Sequence, residues 1–480
     1  MRDSEDALPL MSVVARVQEQ ELSETDKALE TNRRILALRP DDPQAIDALE
    51  RLYLAKQRYT DLLAIYDKKL ALISDPTAKK DIQLKVGQLY EDEIGDDAKA
   101  IAAYRAILKE SGDELPALAA LHRIHERKNE WPELADVLER ELAVTGRGAP
   151  DANHIALKFR LGQVREQHLG DVVGAIACYQ QILQTDPSHE GARSALEKRL
   201  PEDAHQLRAA NILEPIYELL EAWRDLAAVH EIQLKHERSL ERRVGLLMRV
   251  GELQATKLGD APAAFDAFAR AFREDPSRAA VRAELERIAP LMEGADAGPA
   301  GPRPAGGEAE RSPLNDGWRR LVELYEGAIA RGADALATAT GSLDTRLLHE
   351  ISLKVAAAYD ERLENTARAI EYYRKALGLE PDDQAALEAL DRLFSREEKW
   401  SDLLEVYRRK VDLSRDPDER LNLLFRIASL WEEMLLSPEE AITTYKEILG
   451  HDPVNMRALR ALDRLYLAQK HWQEIGRAHV

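Results

Sequence analysis

The chain has 480 residues, a formal charge of −20 and one cysteine, with 45% hydrophobic and 32% charged residues. That composition excludes a disulfide framework and a cysteine-rich zinc module, and it is too apolar for a disordered chain. The acid excess opposes approach to nucleic acid or an anionic membrane surface, and no run nears the ~18 apolar residues of a membrane-spanning helix.

Residues 1–24 form a poorly patterned N-terminal segment. They lack a basic stretch followed by an apolar one, so no signal peptide is expected and the cytoplasm is the expected compartment. Residues 25–291 then carry a repeat. The phrase Ala48-Leu-Glu-Arg-Leu-Tyr53 returns at Ala120, Ala389 and Ala461, with 72 residues separating the first two copies and the last two. Degenerate copies stand at Ala195 and Glu284. A second anchor, Tyr104, Tyr179, Phe268, Tyr373 and Tyr445, keeps the same beat, each ring four residues after an Ala. A third anchor is an aromatic that opens a helix: Tyr59, Trp131, Trp223, Trp318, Trp400 and Trp472. Apolar residues recur at helical spacing, and Gly-Asp, Asp-Pro and Pro-Asp-Asp pairs supply the stops and caps. Each unit of 72 residues therefore predicts four helices, or two hairpins. One hairpin cannot bury its apolar face alone and must stack on its neighbours.

Residues 292–315 interrupt the pattern. Nine of the 20 residues from Gly294 to Pro313 are Gly or Pro, which predicts a flexible linker or a loop out of a continuous stack. The repeat resumes in phase at Trp318, so the loop is preferred, and residues 316–474 form the second part of the array. Between Leu200 and Trp223 the spacing predicts one complete hairpin and one additional helix. The final hexapeptide, residues 475–480, breaks the repeat and matches the in-frame translation of a common sequencing adapter. It is expected to be an artefact, with the natural protein continuing past residue 474.

These residues resemble the tetratricopeptide repeat family, whose helical hairpin of about 34 residues carries the pattern Trp-x2-Leu-Gly-x2-Tyr … Ala-x3-Phe … Pro. Leu387, Leu390, Phe394, Trp400, Leu403 and Tyr407 match the framework of one hairpin type. Val86-Gly87, Tyr90, Ala100 and Tyr104 match the other, with one extra residue in its turn. Where the family favours Gly, alternate hairpins here carry Glu50, His122, Asp391 or Asp463, which predicts slightly looser packing. The resemblance covers nearly the whole chain. It implies an all-α, right-handed α-solenoid of about eleven hairpins, close to long bacterial proteins with paired-hairpin units. It also implies a concave groove lined by the first helix of each hairpin.

Few residues carry chemistry. His122 and His125 share a helix face at a spacing that suits a metal, but His125 fills the slot of Tyr53 and Phe394, so packing is the preferred reading. Cys178 has no basic neighbour in sequence and reads as a core thiol. Gly298–Gly307 lacks the context of a phosphate loop, and no nucleophile elbow, kinase or dinucleotide signature occurs. No cofactor or metal is expected. One constellation remains: Arg51, Arg123, Arg287, Arg392 and Arg464 share one place in the phrase, and Lys198 holds it in a sixth copy. Such a basic column suits acidic peptide segments or a C-terminal carboxylate. The competing reading is an internal ladder of ion pairs. Its acids would be Asp47 and Glu388 four residues earlier, or the Glu91-Asp92, Asp360-Glu361 and Glu432-Glu433 pairs. The expected function is a non-catalytic protein-interaction scaffold binding an unknown protein or peptide, with no nucleic acid and no membrane insertion. The alternative is the repeat arm of a larger enzyme or signalling protein.

Overall fold

The computed structural model describes residues 7–146, 151–292, 316–337 and 344–469. The 475–480 hexapeptide, Trp472 and all but the first residue of the 292–315 stretch lie outside them. Among the described residues there are 24 α-helices and no strand, so the chain is an all-α helical repeat array.

The helices fall into two compact units, Met1–Glu221 and Ala222–Val480. The first holds five hairpins: α1 (Leu8–Gln20) with α2 (Thr25–Leu38), α3 (Pro43–Ala55) with α4 (Tyr59–Leu72), and α5 (Pro76–Gln88) with α6 (Asp97–Ser111). α7 (Leu115–Lys128) with α8 (Trp131–Thr145), and α9 (Ala152–Gln167) with α10 (Val172–Thr185), complete the set. The short α11 (Glu190–Glu197) and then α12 (Gln206–Leu219) follow. The second unit opens on α13 (Trp223–His236) and also holds five hairpins. These are α14 (Leu240–Leu253) with α15 (Ala261–Glu274), α16 (Ala279–Ile288) with α17 (Asp316–Ala337), and α18 (Thr345–Glu361) with α19 (Thr366–Leu379). α20 (Gln384–Arg396) with α21 (Trp400–Leu413), α22 (Pro417–Ser429) with α23 (Pro438–His451), and the single α24 (Met456–Gln469) complete it.

Two structural findings bear on the organisation expected from the sequence. Residues 8–20 are helical and pack on α2, so the N-terminal segment supplies a hairpin helix. The compact units divide at Glu221, whereas Met292 and Leu321, on either side of the Gly/Pro-rich stretch, share one apolar core that runs from Leu234 to Tyr466.

Asp and Asn side chains start many of the helices. Asp42, Asp96, Asp260, Asn365 and Asp383 each accept a hydrogen bond from the backbone N–H three residues on, satisfying a donor the helix leaves free. Two turns alternate between the helices of a hairpin. In the tight form the N–H of Arg58, Glu130 or Lys399 reaches the carbonyl five residues back, with Gln57, Asn129 or Glu398 left-handed between them. In the wide form the N–H of Asp96, Asp171, Asp260, Asn365 or Ser437 reaches six residues back, at 2.8–2.9 Å. The extra residue seen in the sequence is therefore absorbed at the helix end. Three of these ends relax into a π-helical turn, at Leu89–Ile94, Gln254–Leu258 and Leu430–Met434.

The wide turn also needs a left-handed residue. Gly95, Gly170 and Gly259 take it without strain, but Glu364 and Leu436 occupy the same place at φ 50°. Leu436 is 76% exposed and packs on little. Replacing it with Gly is expected to raise stability by about 1 kcal/mol, because a side chain in this conformation costs about that much. Urea unfolding midpoints test this, and a lower midpoint for Leu436→Gly refutes it.

Candidate functional site

Each wide-turn hairpin pairs a small residue with a ring. Gly87, Gly162 and Gly251 lie under Tyr104, Tyr179 and Phe268, so closely that a Cβ on any of them would run into the ring. These rings are fully buried or nearly so. A buried phenol needs a partner for its hydroxyl. Tyr104 donates to Glu91 Oε2 at 3.1 Å, Tyr179 to Glu166 at 2.6 Å and Tyr445 to Glu432 at 3.3 Å, the acid standing 13 residues earlier each time. Burial, then the neighbouring acid, pushes the Tyr104 and Tyr179 hydroxyls well above the ordinary tyrosine value.

The arginine column completes these pairs. Arg123 donates from Nη2 to both Glu91 oxygens at 3.0 and 3.1 Å. Arg392 reaches Asp360 at 2.6 Å, Arg464 reaches Glu432 at 2.5 Å and Arg51 reaches Glu19 at 3.2 Å. In all four the acid lies 32 residues back, on the first helix of the preceding hairpin or in its π-turn. The ladder thus runs between hairpins, with Glu91, Asp360 and Glu432 as its acids. Asp47, considered from spacing alone as the partner of Arg51, bonds Lys69 at 2.6 Å instead. In the α11 copy the paired cation is Arg199, on Glu166 at 2.5 Å, one residue beyond Lys198. The α11 helix ends at Glu197, so Lys198 and Arg199 lie past its last turn.

Arg287 is the exception, and its exception is coherent. The acid position is Ala255 and the ring is Phe268, which has no hydroxyl to satisfy. Arg287 turns to Glu284 in its own helix at 2.6 Å. Acid, hydroxyl and inter-hairpin arginine disappear together.

In the four inter-hairpin pairs the carboxylate is far less exposed than the guanidinium, and in two of them it is nearly withdrawn from water. The Glu91 side chain is 2% exposed, whereas Arg123 is 60% exposed. Asp360 and Arg392 stand at 5% and 61%. The column is therefore a row of solvent-facing guanidinium groups, each held from below by one acid.

The tight-turn hairpins use a second arrangement where the family pattern has Gly. Tyr66 donates to Glu50 at 3.3 Å and Tyr407 to Asp391 at 2.9 Å, with Lys69 and Lys410 on the same acids. His122 takes this place in α7, with its Nδ1 3.0 Å from Glu141, which holds the lysine slot. The charges are exchanged because the ring position there is Leu138. His125 instead faces Glu130 at 2.7 Å. The two imidazoles serve different carboxylates, and among the described residues no group of side chains could hold a metal ion. Cys178 is buried, and burial raises its thiol although Arg165 lies 3.7 Å away. No helix of the described residues is long and apolar enough to cross a membrane.

What sequence reasoning missed was the donor pair around each acid. Its signal was present: an acid, a tyrosine 13 residues on and a cation 32 or 33 residues on, repeated four times.

Two predictions follow from this geometry. Glu91→Ala is expected to cost about 1–3 kcal/mol by leaving the Tyr104 hydroxyl unpaired. Adding Tyr104→Phe, which reproduces the Ala255–Phe268 pair, should recover part of that loss; strictly additive urea midpoints would refute the coupling. Burial, then Glu50, holds the Tyr66 phenol near 12, and burial, then Glu326, does the same for Tyr359. A raised phenol contributes stability that is complete below about pH 10 and lost as the pH climbs towards 12. Phenolate absorbance should show a late-titrating class of tyrosines, reduced by one in Tyr66→Phe; ordinary titration of every tyrosine refutes it.

Comparison with known proteins places this geometry. Tetratricopeptide repeat models match residues 45–80, 117–150 and 386–421, residues 350–383, and residues 81–113 and 156–189. No curated protein matches the chain. Among solved structures it is similar to the C-terminal part of a tetratricopeptide repeat-containing protein from Cytophaga hutchinsonii. That match has 15% identity over 57% of this chain and 99% of the other, with a TM-score of 0.26. A tetratricopeptide repeat protein from Parabacteroides merdae matches at 12% identity over 59% and 99%, TM-score 0.24. The structure of Naa15/Naa10 bound to HypK-THB matches at 13% over 98% and 74%, TM-score 0.25. The six repeat matches fall on helices whose ring and small-residue anchors keep the family's spacing, and the chain belongs to the tetratricopeptide repeat family.

Proposed function

We propose that the chain is a non-catalytic interaction scaffold that receives segments of partner proteins on the face presented by the first helix of each hairpin. Tetratricopeptide repeats generally mediate protein–protein interaction, and proteins built from them are typically non-catalytic. The observation that supports this face is the exposed guanidinium row of Arg51 and Arg123 in the first unit and Arg392 and Arg464 in the second. Each is held by an acid of the preceding hairpin, so little side-chain freedom remains to be lost on binding. Arg123 bonds Glu91 through Nε and Nη2 alone, which leaves Nη1 for a carboxylate of a bound segment.

The test is fluorescence anisotropy of a labelled Glu-rich peptide at low salt. Replacing Arg51 and Arg123 with Gln, or Arg392 and Arg464 with Gln, should weaken binding about tenfold, and added salt should weaken it further. Helicity by circular dichroism should persist. Unchanged affinity in both variants would leave the arginines as an internal ladder and nothing more.

A further inference from the structure

Two open cavities flank α22 in the second unit. One, of about 430 Å³, lies between α22 and the α20–α21 hairpin, and the other, of about 520 Å³, lies towards α24. Asn422 and Arg426, one turn apart on α22, line both. α22 itself is packed between α21 and α23.

Arg426 departs from its copies. It holds the place of Lys85, Arg160 and Lys354, six residues before the ladder acid. Those three cations reach back to an acid of the preceding hairpin: Glu50 at 3.5 Å, Glu126 at 2.6 Å and Glu286 at 2.5 Å. The matching acid for Arg426 is Asp391, which Tyr407 and Lys410 already bond at 2.9 and 2.8 Å. Arg426 makes no ion pair among the described residues, and its guanidinium leans on Tyr407, 5.9 Å from the ring centre. Arg457 of α24 also makes none, and its guanidinium lies 4.3 Å from the centre of the Phe425 ring on α22.

The cavities differ in sign. Arg426 and Arg457 face the larger one, with Glu433 as the acid on its wall. The smaller one is faced by Glu388 of α20 and Asp418 of α22, both exposed and neither in an ion pair among the described residues. Its other charged groups are engaged. Lys410 holds Asp391, Glu419 accepts from the Ser414 hydroxyl at 2.7 Å, and Asp416 caps α22. An anionic side chain therefore suits the larger cavity, and a cationic one suits the smaller.

We propose that this groove receives an extended, mixed-charge segment of a partner protein. Its acidic side chain lies between Arg426 and Arg457, and its basic side chain between Glu388 and Asp418. Packed helices stand about 8–10 Å apart, which sets the order of the distance between cavities on either side of α22. A polyproline II segment rises about 3.1 Å per residue with three residues per turn, so side chains three apart share a face about 9 Å apart. The fitting pattern is one base and one acid three residues apart. This inference rests on the first-helix face as the docking face. It does not need the ladder arginines, and it excludes uniformly acidic segments from this site.

The probes are labelled peptides carrying Lys-Pro-Pro-Glu or Glu-Pro-Pro-Lys, in both orders because the cavities fix sign and not chain direction. Fluorescence anisotropy with the full chain at low salt should give saturable binding of at least one order, with a dissociation constant below about 1 mM. Glu-Pro-Pro-Glu and Lys-Pro-Pro-Lys should bind about tenfold more weakly. Arg426→Gln and Glu388→Gln should each weaken the mixed peptide about tenfold with unchanged circular dichroism, because both side chains are exposed. Glu388→Lys should reverse the preference in favour of Glu-Pro-Pro-Glu, which a purely structural role would not do. Equal binding of the mixed and doubly acidic peptides overturns this inference alone. So does the absence of saturable binding by either mixed peptide, or binding that Arg426→Gln leaves unchanged. The Glu-rich peptide and the ladder-arginine variants test the wider reading separately.

Discussion

A carboxylate buried between hairpins is the constraint around which this array is organised. Glu91 and Asp360 are almost withdrawn from water, and a charge in that place is tolerable only when donors surround it. For Glu91 the donors come from two directions in the sequence. The tyrosine belongs to the second helix of the same hairpin, and the arginine belongs to the first helix of the next. The acid therefore ties a hairpin internally and ties it to its successor. The small residue four positions before the acid belongs to the same device: it lets the ring approach closely enough for the hydroxyl to reach the carboxylate. The arginine's guanidinium bonds the acid while the side chain stays largely exposed, so its own desolvation cost is small. The repeat beginning at α14 tests the logic within one molecule. With Phe268 there is no hydroxyl to satisfy, the acid becomes Ala255, and Arg287 is released to its own helix.

Much of this was legible in the sequence, because repetition converts spacing into geometry. The Ala-to-ring intervals located the second helices, the aromatic openers located the turns, and an extra residue in alternate hairpins pointed to a second turn type. Its physical form, a helix end that widens into a π-turn and bonds six residues back, was not legible, since no residue type marks it. The arginine column was visible as a column, but helix spacing offered Asp47 and Glu388 four residues away as readily as Glu91, Asp360 and Glu432. Sequence distance favours the near acid. Packing favours the far one, since consecutive first helices lie side by side and the far acid is buried where it most needs a cation. Helix α1 was missed for a different reason. None of the repeat's ring anchors falls within it, so nothing ties its helical spacing to the array.

The alternate hairpins solve the same problem with other residues. Where the family pattern has Gly, Glu50 and Asp391 project a carboxylate, and the opposing ring is a tyrosine that turns its hydroxyl to it. Tyr66 and Tyr407 are 5% and 7% exposed, as Tyr445 and Tyr373 are. The hydroxyl bond together with a lysine satisfies the carboxylate. In α7 the ring is Leu138 and the polarity reverses, with an imidazole where the acid stood and Glu141 where the lysine stood. What is retained across the copies is one satisfied polar pair at a fixed distance along the chain, while its sign is free to change.

These internal demands bear on how partners are recognised. Of 67 basic and 87 acidic side chains, many cations already serve buried acids, so the far field of the protein is that of its acid excess. If the guanidinium row receives partner segments as proposed, an acidic segment is repelled at long range and meets favourable groups only on contact, at guanidinium edges that the ladder leaves free. Recognition of that kind gains little from electrostatic steering and depends on short-range geometry.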